Sequence, residues 1–427
     1  MPETTAAPTS DTTCDLVVVG AGILGLAVAR EALRRDPGLG VHVVEREERV
    51  GAHQTGHNSG VVHAGIYYAP GSLKARLCVE GARDLYAFCA RHDVPVERCG
   101  KVIVALTEDE VPGLDALEWR GRQNGVPGLR RLDRRGLRDL EPHAEGVAAL
   151  HSPATGIVDF PAVARALARE VIEDGGRITL GRTVTGVESR PGEVVLRTGD
   201  GDLVARHAVF CAGAWSDRLA VAAGASPDPR IVPFRGAYLR LRPERRDLVR
   251  SLIYPVPDPS LPFLGVHLTR HIDGDVLVGP TALMVGARDA YRLRRVRPAD
   301  LGATLAWPGT WRMARRWWRT GLSEMGYAAN RTAFVRAAQR YVPELQPADV
   351  LPGPSGIRAQ ALARDGALVD DFVISHTGRA LHVRNAPSPA ATSSLAIARL
   401  IADRAEEAFG LFTRTANHRR EAAHGAA

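Results

Sequence analysis

Lysine is nearly missing from this chain. Of its 55 basic residues only Lys74 and Lys101 are lysine, and the other 53 are arginine. With the abundant alanine, that bias points to GC-rich bacterial coding more than to an activity. Cysteine is scarce as well. Cys14, Cys78, Cys89, Cys99 and Cys211 are odd in number, scattered and without a C-x-x-C pair. A disulfide framework and a zinc site are therefore not expected, and reduced thiols in a reducing compartment are. No apolar run reaches the ~18 residues of a membrane-spanning helix. The opening thirteen residues lack the basic start and apolar stretch of a signal peptide. They read as a disordered leader, residues 411–427 read as a flexible tail, and a cytoplasmic location is expected. No internal repeat is present.

What remains is the composition of a soluble globular protein, with 45% hydrophobic and 24% charged residues. A chain of 427 residues is too long for one simple core, so two domains are expected. Asp15–Val19 reads as a buried parallel strand, followed at once by the loop Gly20-Ala-Gly-Ile-Leu-Gly25 and an alanine-rich helix to about Arg35. Val41–Glu45 reads as the next strand, which completes a βαβ unit. Further on, a helix is predicted over Phe160–Asp174 and strand-like runs over 177–188, 193–198 and 203–211. Residues 231–282 are strand-rich, 298–342 mainly helical, and a last helix is predicted from about Pro389.

Each loop glycine has a physical task. Gly20 permits the tight turn, Gly22 lets a pyrophosphate approach the backbone, and Gly25 lets helix and strand pack closely. The helix start offers unpaired N–H groups to phosphate. Glu45 is placed to accept from a ribose diol, which suits FAD and NAD alike. The following segment, Glu45 to Tyr68, is rich in Gly, Ser and His and has no NAD-type third strand, as suits a chain laid along an extended cofactor.

That segment resembles the D-amino-acid-oxidase-like flavoproteins and, in detail, the L-2-hydroxyglutarate oxidase/dehydrogenase family. The resemblance rests on His53–Tyr68, Pro70–Cys78, Val232–Gly236, Gly265–Arg270, Gly356–Leu362, Asp370–Phe372 and His382–Ser394, and spans roughly residues 14–405. It implies an α/β fold with a discontinuous Rossmann-like FAD-binding domain (14–90, 145–215, 346–410). Inserted into it would be an α+β substrate domain of antiparallel sheet plus helices (91–144, 216–345). It implies a non-covalent FAD. The implied contacts, beyond the glycines and Glu45, are Ile23, Leu24, Arg46, Gln54, Thr55, Ser59, Gly60, Val61, Val184, Ala212, Gly213 and Gly356. Pro387, Ser388, Ala390, Ala391 and Thr392 would complete them, on a loop that aims a helix N-terminus at the flavin.

Oxidation of a 2-hydroxy acid needs a base for the hydroxyl proton and cations to hold the carboxylate. His63 is the first candidate base, against the simpler reading of a histidine that only bonds flavin or shapes its loop; His57 and His267 are rivals. Arg358 is the first carboxylate fork, with Arg235, Arg270 and His267 as further anchors. Tyr67 and Tyr68 line the pocket or fill core. L-2-hydroxyglutarate is the expected substrate, with oxygen or a quinone as electron acceptor. An amine or amino-acid oxidase is the alternative within the superfamily, and a flavin-bearing RNA-modification or binding protein the alternative of another class. Residues 292–319 hold eight arginines, one acid (Asp300) and four of the six tryptophans. That pattern fits either a helix lying on an anionic membrane or a core helix with solvated arginines. No RNA-binding module accompanies it, so no nucleic-acid partner is expected.

Overall fold

The computed structural model describes residues 11–259 and 263–413, so most of the expected leader and tail lies outside the described residues. The first sheet has eight strands. Its parallel centre runs Ala380–Asn385, Leu203–Phe210, Asp11–Val19, Val41–Val44, Arg177–Thr179. The strand Asp11–Val19 takes in residues 11–13, which the sequence reading had placed in the leader. Its apolar run is buried on both faces, with Val17 and Val18 at 0% exposure, as a central parallel strand requires. The helices Ile23–Arg35, Phe160–Glu173 and Ser394–Phe409 cover one face and form with it the largest apolar core.

The helix Phe160–Glu173 shows why these elements form. Asp159 caps it by accepting from the Ala162 N–H at 2.9 Å, and Pro161 sits in the first turn. Phe160, Val163, Leu167 and Val171 recur at helical spacing and are buried, each contributing roughly 2 kcal/mol by burial. The helix ends before Gly175, which has φ +87°. The last helix starts at Ser394, later than the predicted Pro389. Residues 387–393 first form turns, with the Ser393 N–H bonded to the Pro389 carbonyl.

The second sheet has nine strands and is antiparallel except where Leu252–Pro255 runs parallel to Lys101–Ala105. Its longest ladder pairs Arg230–Leu241 with Val350–Leu362 and sets Phe234 opposite Arg358 and Gly236 opposite Gly356. Two of its strands, Ala148–Ser152 and Val350–Leu362, lie within stretches expected to belong to the flavin domain. Their hydrogen-bond ladders to Lys101–Ala105 and Arg230–Leu241 put them in the other sheet. Among the described residues no helix is long and apolar enough to cross a membrane.

Candidate active site

A cavity of about 850 Å3 opens where the two sheets face each other, near the upper end of the ~300–1,000 Å3 range of ligand sites. One wall is made of the carboxyl ends of the parallel strands: Val19, Val44, Cys211 and Val383–Asn385. Ligands in open α/β sheets bind at such an edge. The opposite wall comes from the second sheet, through Phe234, Gly236, Tyr238, Tyr254, His267 and Arg358.

At the edge of the first sheet the glycines separate by task. Gly20 has φ +104°, and a Cβ there would meet the Cys211 carbonyl at 2.5 Å. A Cβ on Gly25 would collide with the Gly20 carbonyl. Both are demanded by the fold. Gly22 is different: its φ of −74° suits any residue, and a Cβ would touch only Thr55 Oγ1, at 3.4 Å. The protein itself leaves room for a side chain there, space on the cavity wall that a ligand can occupy. Glu45 is 8% exposed and accepts from the Ala21 N–H at 2.8 Å and the Glu47 N–H at 3.0 Å. Those bonds fix its carboxylate beside the loop with lone pairs remaining for a diol. Not every helix-start donor is free, because Thr55 Oγ1 accepts from the Ile23 N–H at 3.0 Å. Arg46 lies 3.4 Å from the Trp215 ring centroid.

At the other end, Thr392 Oγ1 accepts from the His63 N–H at 3.1 Å and ties the loop before Ser394 to the His63 segment. His63 Nδ1 and Tyr67 Oη are buried with no protein partner among the described residues, as expected of groups that await a ligand. Burial first, then the positive field of Lys101 and the neighbouring His267, pushes His63 down to about 3. His267 is pushed down to about 4, chiefly by burial, with Lys101 and Arg358 adding. Its Nδ1 lies 2.9 Å from the Gly265 carbonyl. A carbonyl only accepts, so Nδ1 carries the hydrogen and Nε2 is the free lone pair. Near neutral pH both imidazoles are uncharged. The Arg358 guanidinium is open to the cavity yet enclosed by protein beyond it, and lies 4.3 Å from the Phe263 ring centroid. No carboxylate among the described residues forms an ion pair with it, although Asp370 and Glu324 contribute to its field.

Of the sequence candidates, His63, Arg358, His267, Tyr67, Tyr68 and His57 line this one cavity. So do Gly20, Gly22, Ile23, Leu24, Glu45, Arg46, Gln54, Thr55, Ser59, Val61, Val184, Ala212, Gly213, Gly356, Ser388, Ala390, Ala391 and Thr392. Gly25, Gly60 and Pro387 do not. Arg270 is a correction: its guanidinium pairs with Glu97 at 2.9 Å and with the Arg250 carbonyl, away from the cavity. Arg235 is another, since its Nε donates to the Tyr291 carbonyl at 3.1 Å and it lies outside the lining. The sequence reading missed Tyr238, Tyr254, Phe263 and Thr281 in the lining. It also missed Glu324, which accepts from the cavity-lining Ala282 N–H at 2.6 Å. Single residues on separate strands carry no local signal; only sheet alternation around His267 and Arg358 marks Tyr238 as facing the same side.

A βαβ glycine loop, a fixed acid beside it and an elongated cavity define a dinucleotide-cofactor oxidoreductase. The FAD dependent oxidoreductase (DAO) family profile matches residues 15–404, and the chain belongs to that family. It is 47% identical over 416 residues to L-2-hydroxyglutarate dehydrogenase, mitochondrial, of Nematostella vectensis, covering 93% of this chain and 91% of that one. It is 44% identical over 383 residues to L-2-hydroxyglutarate dehydrogenase of Indibacter alkaliphilus, covering 90% and 96%. Among solved structures, FAD-bound L-alpha-glycerophosphate oxidase of Mycoplasma pneumoniae superposes with TM-score 0.75 at 23% identity, over 91% of this chain and 94% of that one. Glycine oxidase of Geobacillus kaustophilus does so with TM-score 0.69 at 21% identity, over 92% and 95%. At such identities the two structures speak for the fold alone. FAD is the cofactor of this oxidoreductase, and the space at Gly22 and the carboxylate of Glu45 fit it.

Proposed function

We propose that the chain oxidises L-2-hydroxyglutarate, or a close 2-hydroxy acid, to the 2-oxo acid. The observation that carries this reading is the cavity end where Arg358, open to the cavity and without an ion-pair partner among the described residues, stands with two histidines that burial keeps uncharged. Arg358 holds a substrate carboxylate by a bidentate fork. FAD, when bound, supplies the acceptor for the C2 hydrogen as hydride. His63 takes the hydroxyl proton as C2–H breaks and the C2–O bond becomes a carbonyl. A base held near 3 is weak, and the substrate itself corrects this. A carboxylate about 5 Å away contributes roughly 3 kcal/mol at an effective dielectric of 20, or about two pKa units. His267, with Nε2 free, holds the rival position. The FAD is non-covalent in this reading; burial pushes the cavity-lining Cys211 thiol up to about 12, which leaves no thiolate to attach it. Anaerobic mixing with L-2-hydroxyglutarate tests the reading: the flavin should be reduced, and a flavin that stays oxidised refutes it.

The helix Pro308–Ala329 supports a second proposal, peripheral contact with an anionic membrane that holds a quinone acceptor. Trp307 is core, 6% exposed, with its indole N–H bonded to the Leu362 carbonyl. Trp311, before a kink at Trp317, and Trp318, Leu322 and Met325, at helical spacing after it, are 49–61% exposed. Arg312, Arg315, Arg316 and Arg319 lie among them in sequence and are exposed, as in a helix lying in an interface. Not all the local arginines are available: Arg295 and Arg297 are paired with Asp289.

A further inference from the structure

Lys101 sits at the start of the strand Lys101–Ala105 with 1% exposure. The other lysine, Lys74, pairs with Asp370 at 2.6 Å. Lys101 has no such partner; among the described residues no carboxylate pairs with it. Its Nζ lies 4.2 Å from the ring centroid of Tyr254 and 5.1 Å from that of Tyr67, and both rings line the substrate end of the cavity. The titratable groups that face it are Cys78 from the helix Leu73–Arg91, Cys99 just before its own strand, and His63 and His267. The two thiols, the two tyrosines and the two histidines are uncharged near neutrality. A cation buried without a counter-ion is costly, and π faces compensate only part of that cost.

We propose that Lys101 is a positioning residue that selects a dianionic substrate, acting through the Tyr67 and Tyr254 rings between it and the cavity. The proposal rests on the dicarboxylate reading above. Arg358 supplies one positive charge at the cavity wall, and Lys101 supplies the second from behind the tyrosine pair. Together they match two carboxylates, and a monocarboxylate leaves Lys101 uncompensated. Burial brings Lys101 down to about 7, so in the empty cavity near pH 8 it is mostly neutral. The second carboxylate draws a proton onto it, and substrate binding is coupled to proton uptake. At an effective dielectric of 20, a charge about 7–8 Å from the carboxylate is worth a factor of about 30 in affinity.

The test uses the FAD-loaded enzyme with glutarate and butyrate, which cannot be oxidised at C2, followed by perturbation of the flavin spectrum. Calorimetry at pH 8 in buffers of different ionisation enthalpy counts the protons. Wild type should take up about one proton per glutarate and almost none per butyrate. Lys101→Met should lose that uptake and bind glutarate about 4-fold more weakly at pH 8 and about 30-fold more weakly at pH 6, where Lys101 is charged before binding, with butyrate changed by less than about 3-fold at pH 8. Lys101→Arg, which stays charged, should keep the preference for glutarate and lose the uptake. Glutarate binding to wild type without proton uptake overturns the proposal, and so does an equal loss for both ligands in Lys101→Met. Should Lys101→Met fail to fold, the wild-type proton count decides alone. Reduction of the wild-type flavin by L-2-hydroxyglutarate, measured first, separates a failure of the substrate reading from a failure at Lys101.

Discussion

Gly22 and Gly25 lie three residues apart at the start of one helix, yet the structure gives their substitution opposite consequences. Alanine at Gly22 meets only Thr55 Oγ1, at ordinary contact distance, and the backbone there is already extended. The flavin-free Gly22→Ala protein should therefore fold normally, and the stiffer unfolded chain should stabilise it by about 0.4–1 kcal/mol. Its methyl group occupies space that a pyrophosphate needs. Overpacking of one methyl typically costs 1–3 kcal/mol, so FAD affinity should drop by roughly 5- to 150-fold. Alanine at Gly25 collides with the Gly20 carbonyl, a backbone atom that cannot swing away. Gly25→Ala should destabilise the flavin-free protein itself by roughly 3 kcal/mol or more. Thermal melting of flavin-stripped protein, with FAD titration by quenching of flavin fluorescence, reads both quantities. Equal melting-temperature losses in the two variants would refute the division of tasks, as would normal FAD affinity in Gly22→Ala.

Four further outcomes follow from the geometry. His63→Asn should slow flavin reduction by ~10²–10⁴ with little change in substrate affinity; near-normal reduction from pH 6 to 9 would transfer the base role to His267. Arg358→Met should raise KM for the hydroxy acid by about 100-fold, whereas Arg270→Gln, already engaged with Glu97, should leave KM within about 2-fold. His63, His267 and His382 all have folded pKa values depressed by burial, to about 3, 4 and 4. The unfolded chain binds more protons below about 6.5, so stability is full above that pH and should fall steadily as pH drops toward 4; a flat thermal-melting profile over that window would contradict the burial argument. Replacing Arg312, Arg315, Arg316 and Arg319 with glutamine should abolish salt-sensitive binding to anionic liposomes while flavin reduction by substrate persists. Absence of wild-type binding at low ionic strength would discard the membrane contact and favour oxygen as acceptor.

The cofactor end was legible because its signals are local. Strand, glycine loop, helix and Glu45 fall within about thirty residues, and Gly20 and Gly25 map to backbone requirements seen in the fold, whereas Gly22 does not. The substrate end was legible only in part. His63 and Arg358 stood out in distinctive strings, but arginine is so common here that Arg235 and Arg270 stood as further anchors behind Arg358. What separates them is the register of Arg230–Leu241 against Val350–Leu362 and the ion pair to Glu97, both long-range. The strands Ala148–Ser152 and Val350–Leu362 lie in stretches expected to belong to the flavin domain, and their places in the second sheet, set by hydrogen bonds to distant strands, are illegible for the same reason. Lys101 is the plainest case. In the sequence it registers only as a rare lysine, and its meaning comes from Tyr67, Tyr254, His63 and His267, which reach it from distant segments. In the stretch 292–319 Trp307 lies in the core, whereas Trp311 and Trp318 are exposed.

A 2-hydroxy dicarboxylate at the Arg358 end of the cavity is the proposed substrate, and one anaerobic experiment tests this most directly. The FAD-loaded protein is mixed without oxygen with L-2-hydroxyglutarate, its D-enantiomer, L-lactate, sarcosine and glycine in turn, and the oxidised-flavin absorbance is followed. L-2-hydroxyglutarate should reduce the flavin fully and yield one 2-oxoglutarate per flavin, with the D-enantiomer and the amines inert and L-lactate far slower. Rapid reduction by sarcosine or glycine, with the flavin left oxidised by L-2-hydroxyglutarate, would contradict the account and assign the site to amine oxidation.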